Sequence, residues 1–154
     1  MKPGDLAPDF TLPDQHGVDR TLSTLTATAP VVLFFFPAAM TKGCTAESCH
    51  FRDLAAEFAA LGAQRIGISM DDVAKQAAFD TTHHLGFPLL ADVGGRVARA
   101  YGVKRGLDVL RVRRTTFVID RDRRVLDVIT SELNMMAHAD RALAVLARAL
   151  ASDE

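Results

Sequence analysis

Cys44 and Cys49 are the two cysteines of this 154-residue chain, and they fall within the run FFFPAAMTKGCTAESCHFRD. A thiol attacks as its thiolate; the free pKa lies near ~8.5 and can fall below about 7 at a helix N-terminus beside cations. Cys44 lies just past the continuously apolar Val31–Phe36, where a helical pattern begins. Backbone N–H groups and the helix dipole favour an anion at that junction. Thr41, one turn earlier, can accept or donate a hydrogen bond, and Gly43 permits close backbone approach. Pro37–Gly43 reads as loop rather than core, so Cys44 is the candidate nucleophile.

Cys49 is harder to place from spacing alone. In an ideal helix, residues five apart have Cα atoms roughly 8.7 Å apart. Disulfides seldom tolerate more than ~7 Å. A bond between Cys44 and Cys49 therefore requires the first turns of that helix to unwind. The spacing also differs from the CxxC of dithiol oxidoreductases.

Other chemistries have weaker support. His50, His83 and His84 show no zinc-type spacing with the cysteines, so no metal is expected. Arg111, Arg113 and Arg114 form a short basic cluster, but the formal net charge is -1. That balance points away from nucleic acid and from anionic membranes. Val31–Phe36 is far too short to span a bilayer. The N-terminal MKPGDLAPDF has no apolar run behind its lysine, so it does not read as a secretory signal. The expectation is a cytoplasmic protein, where a cysteine pair is more often catalytic, redox-sensing or metal-binding than a static crosslink.

The elements that must position these residues are legible as patterns. Residues 1–29 read as an N-terminal extension with an extended piece at Phe10–Leu12, a turn at Asp14–Gly17 and a helical turn at Ser23–Leu25. Val31–Phe36 fits a central strand covered on both faces. Thr45–Leu61 reads as one amphipathic helix, with Phe51, Leu54, Ala55, Phe58 and Leu61 on its apolar face and Gly62 ending it. Gln64–Met70 is the next strand. Asp71 or Asp72 caps a helix running to about His83. Phe87–Leu90 is a short extended piece, and Val97–Tyr101 one or two helical turns. Thr115–Ile119 and Val125–Ile129 form a hairpin around Asp120–Arg124. Asn134–Ala151 closes as a helix, with Ala142, Leu143, Leu146 and Leu150 on one stripe.

Strand, helix, strand, helix, hairpin, helix predicts a mixed sheet flanked by helices, parallel early and antiparallel late. That is an α/β, thioredoxin-like fold in a single domain over residues 1–154. In such a sheet the strand starting at Thr115 can lie beside the strand ending at Phe36. Arg114 could then reach the cysteine loop and hold a thiolate and a small oxygen-bearing substrate. Spacing does not separate Arg114 from Arg111 or Arg113.

The segment Phe36–Asp53 resembles the active-site region of peroxiredoxins, and most closely the bacterioferritin comigratory protein (peroxiredoxin Q) group. The family pattern Pro-x-x-x-Thr-x-x-Cys falls on Pro37, Thr41 and Cys44, and a resolving cysteine five residues on falls on Cys49. Leu12–Gln15, Gly67–Asp71, Phe87–Asp92 and Arg114–Asp120 extend the resemblance over most of the chain, and the family's active-site arginine maps to Arg114. The family's usual proline after the threonine is here Lys42. The resemblance implies a thiol peroxidase: Cys44 is oxidised by a hydroperoxide to a sulfenic acid, Cys49 closes a disulfide, and thioredoxin or a similar dithiol reduces it. It implies no cofactor, and a monomer with at most weak dimerisation. The rival readings are a general thiol–disulfide oxidoreductase and a non-catalytic redox sensor.

Overall fold

A computed structural model describes residues 1–106 and 111–152. Its main sheet has five strands in the order β5-β4-β3-β6-β7. They are β3 (Val31–Phe35), β4 (Gln64–Ser69), β5 (Leu89–Ala91), β6 (Thr115–Ile119) and β7 (Val125–Thr130). β4 runs parallel to β3 and β5, whereas β6 runs antiparallel to β3 and β7. This is the expected thioredoxin-like mixed sheet. The N-terminal extension supplies β1 (Thr11–Pro13) and β2 (Asp19–Thr21), a separate antiparallel pair, and the short α1 (Leu22–Thr28).

β3 is central and buried along its whole length. Side chains alternate across a strand, so its residues divide between two cores. Val31, Leu33 and Phe35 join Tyr101, Phe117 and the N-terminal Phe10 on one face. Val32, Phe34 and Phe36 join Cys44, Phe51, Phe58 and Phe79 on the other. Phe34 stacks on Phe51 with ring centroids 4.2 Å apart, which fixes the helix carrying Cys44 against the sheet.

Two helices differ most from the sequence expectation. The single helix over Thr45–Leu61 is two, α2 (Lys42–Asp53) and α3 (Ala55–Ala60). At the interruption Arg65 donates its Nη1 to the Phe51 carbonyl at 2.9 Å, the oxygen that Ala55 N–H would bond in a continuous helix. The last helix, α6, spans Ala137–Ser152. Asn134 stays outside and caps it, Oδ1 accepting from Ala137 N–H at 3.2 Å. The buried stripe of α6 is His138, Ala139, Ala142, Val145 and Leu146, while Leu150 is exposed. The remaining helices are α4 (Val73–His83), capped by Asp72 as expected, and α5 (Arg96–Ala100).

Candidate functional site

Phe36 extends β3 by one more hydrogen bond, to Ile68 O, and Pro37 then turns the chain away. The loop that follows is held from β4's end. Asp71 Oδ2 accepts from Ala39 N–H at 2.7 Å and from the Ser69 hydroxyl at 2.7 Å. Gln76 on α4 donates to Ser69 Oγ at 2.9 Å, so the clamp is itself supported. Met40 adopts φ 68°, a conformation that non-glycine residues take only when their surroundings impose it.

Thr41 is the N-cap of α2, yet its side chain does not cap the helix. The Thr41 hydroxyl donates instead to Ala38 O at 2.8 Å and stiffens the loop. The leading N–H groups of Lys42, Gly43 and Cys44 have no intrahelical acceptor. Lys42 occupies the first helical position, where a proline's missing N–H would cost nothing and its fixed φ would be pre-organised.

Cys44 is fully buried in the first turn. Arg114, immediately before β6 and itself only 6% exposed, donates Nη2–H to Cys44 Sγ at 3.2 Å and Nη1–H to Glu47 Oε1 at 2.7 Å. The other two arginines point elsewhere. Arg111 pairs with Asp71 at 3.3 Å, and Arg113 is exposed. Glu132 Oε1 accepts from Arg114 N–H at 3.1 Å and so helps fix the start of β6. Gly43 eases this approach: a Cβ there would crowd Arg114 Nη2 at 3.3 Å and touch Met135 Sδ at 3.6 Å. Burial works against the charge of Arg114, but Glu47 and Cys44 outweigh it and keep the guanidinium firmly protonated. Glu47 is pushed up to about 7, because burial outweighs the pull of Arg114 and Glu132 adds to the rise.

Behind Glu47 lies His138 of α6, also fully buried. His138 Nδ1 is 2.7 Å from Thr116 Oγ1 and 3.6 Å from Glu47 Oε2, and its Nε2 is 2.8 Å from Ser131 O. Burial holds His138 below the ordinary imidazole range. Sequence reasoning missed Glu47 and His138. Glu47 had a usable signal, since the third residue after Cys44 lies on the same helix face. His138 had none.

Cys49 is half-buried on the same helix, and both cysteines are free thiols. It packs beside the core that contains Cys44. His50, next to it, pairs with Asp140 at 2.8 Å instead of facing either sulfur. The structure therefore gathers Cys44, Gly43 and Arg114 at one point and adds Glu47. Pro37 and Thr41 shape the approach to it, and Cys49 lies further along the helix. A sulfur held by a guanidinium beside free helix N–H groups can attack an electrophile whose leaving atom becomes anionic.

Residues 3–128 match the model of the AhpC/TSA family. The chain is similar to the peroxidoxin BcpB of Mycobacterium tuberculosis: TM-score 0.92 and 60% identity, covering 96% of this chain and 97% of that one. It is also similar to the Xanthomonas campestris bacterioferritin comigratory protein, whose structures address alkyl peroxide reduction. There the TM-score is 0.83 at 30% identity, with 91% of each chain covered. The chloroplastic peroxiredoxin Q of Suaeda salsa is 38% identical over 93% of this chain and 66% of that protein. Among the described residues no helix is long and apolar enough to cross a membrane.

Proposed function

The chain belongs to the AhpC/TSA family, and within it to the peroxiredoxins of the bacterioferritin comigratory protein group, and from that premise we propose that it reduces hydrogen peroxide and organic hydroperoxides through Cys44. The observation that carries this reading is the Arg114 guanidinium donating to the buried Cys44 sulfur at 3.2 Å. The thiolate attacks the terminal peroxide oxygen, forming a sulfenic acid and expelling hydroxide or alkoxide. Charge accumulates on the departing oxygen, where Arg114 and the open N–H groups of Gly43 and Cys44 stabilise it most.

Resolution falls to Cys49. The two cysteines share α2, so the first turns of that helix must unwind before Cys49 can reach the sulfenic acid. The clamp of Ala39 by Asp71 limits how much of the preceding loop moves with them. Thioredoxin or a similar dithiol then reduces the disulfide, and the cycle needs no cofactor.

The test is peroxide consumption with thioredoxin, its reductase and NADPH. Cys44→Ser should fall to background, a loss of at least about 10⁴-fold, as for removal of a nucleophile elsewhere. Cys49→Ser should consume one equivalent of peroxide at the normal rate and then stop. Full turnover in Cys44→Ser would refute the assignment.

A further inference from the structure

Two buried titratable groups, Glu47 and His138, have no part in the cycle described above. Their geometry constrains where protons can be. Ser131 O can only accept, so His138 Nε2, 2.8 Å away, carries a hydrogen. In a neutral imidazole Nδ1 is then a bare lone pair, accepting from the Thr116 hydroxyl at 2.7 Å. That same Nδ1 lies 3.6 Å from Glu47 Oε2, a buried oxygen with no hydrogen-bond partner. With both groups unprotonated at this contact, two acceptors would face each other away from water, which is costly. A proton on either atom removes the conflict. If it sits on Nδ1, the Thr116 hydroxyl turns to accept.

The second constraint is charge. Arg114 is one cation with two acids on its fork, Cys44 on Nη2 and Glu47 on Nη1. One anion there is neutralised; two leave a net negative charge in a buried site, which is unfavourable.

We propose that Glu47 and His138 together hold one proton while Cys44 is a thiolate and release it when Cys44 is oxidised, the pull of Arg114 on a Glu47 carboxylate then outweighing the strained contact with His138, so that Arg114 faces a single anion throughout. The inference rests on Cys44 being the peroxide-reacting sulfur. The step balances. The S–O bond forms as the O–O bond breaks, sulfur gives up two electrons, and the peroxide accepts them. The expelled alkoxide collects a proton from water at the site, and the Glu47–His138 pair returns one to that water. Thiolate, carboxylic acid and hydroperoxide become sulfenic acid, carboxylate and alcohol, with no net exchange with bulk solvent. Glu47 and His138 are thus positioning residues, acting on the reaction through Arg114. Burial raises Glu47 and lowers His138, which puts the proton on the carboxyl. The other groups facing the pair are Cys44 on α2, Arg114 and Thr116 at β6, Ser131 and Glu132 after β7, and Arg141 on α6.

Proton stoichiometry tests this. Reduced protein is mixed with one equivalent of hydrogen peroxide in weakly buffered indicator dye, slightly acid of neutrality, while mass spectrometry follows Cys44. Wild type should exchange almost no protons per sulfur oxidised, whereas Glu47→Gln should take up about one, because Gln has none to release. Infrared difference spectra of wild type alone should show a protonated carboxyl band lost and a carboxylate band gained on oxidation. Uptake of about one proton by wild type, equal stoichiometry in both proteins, or no carboxyl change in wild type would overturn the inference while leaving peroxidase chemistry intact. If Cys44 is not oxidised at all, the proposed function fails with it.

Discussion

Cys44 and Cys49 share one helix, one core and one oxidation state, yet their surroundings have little in common. Cys44 is sealed among ionisable groups: a guanidinium on its sulfur, a carboxyl behind that and an imidazole behind both. Cys49 is half-exposed, beside apolar side chains and a surface His50–Asp140 pair. The difference separates two requirements. A sulfur that attacks while charge builds on a departing oxygen needs fixed donors beside it, and fixed donors need burial. A sulfur that must travel to its partner needs few bonds to break.

The largest way to break this contrast is to remove the guanidinium. Arg114→Ala should slow peroxide oxidation of Cys44 by about 10²–10³-fold, the cost of losing a charged transition-state donor. It should also lower stability by about 1–3 kcal/mol by leaving Glu47 Oε1 without its donor. Single-turnover kinetics and thermal unfolding measure the two effects. Gly43→Ala tests the same contact more gently. The new Cβ would stand 3.3 Å from Arg114 Nη2, so the guanidinium must shift by a few tenths of an ångström. A rate loss of about 3–10-fold is expected, with little change at Cys49. A rate loss equal to that of Arg114→Ala would mean that Gly43 does more than admit the arginine.

A separate effect, read in stability instead of rate, is its dependence on pH. Glu47 rises from 4.5 to about 7 on folding, so the folded state favours its protonated form. Its contribution is therefore complete below pH 4.5 and is lost as pH rises through about 7. Reduced wild type should lose on the order of a few kcal/mol across that window relative to Glu47→Gln, read from denaturant midpoints. A flat difference between the two proteins would place the raised carboxyl elsewhere.

The comparison also shows which parts of the molecule local pattern reveals. β3 was legible because six consecutive apolar residues have no other comfortable position than a sheet centre. Cys44 and Gly43 were legible because strand, turn and helix signals converge on them. The break at Leu54 was not, and the side chain that bonds the helix backbone there, Arg65, comes from the next strand. Leu150 misled because it keeps the helical period yet lies beyond the last buried residue of α6, Leu146. Spacing alone did not separate Arg111 and Arg113 from Arg114, which the family resemblance singled out; the pairing of β6 with β3, Thr115 opposite Phe35, gives the physical reason.

The order of strands and helices, the two cores on either side of β3 and the cysteine at a helix start follow from residue periodicity and turn chemistry, which act over a few neighbours. The partner of that cysteine does not. Glu47 meets Arg114 across 67 positions of chain, and His138 meets Thr116 across 22. Such contacts exist only once the sheet has closed and expelled water, and it is that expulsion which turns three ordinary side chains into a charged site around one sulfur.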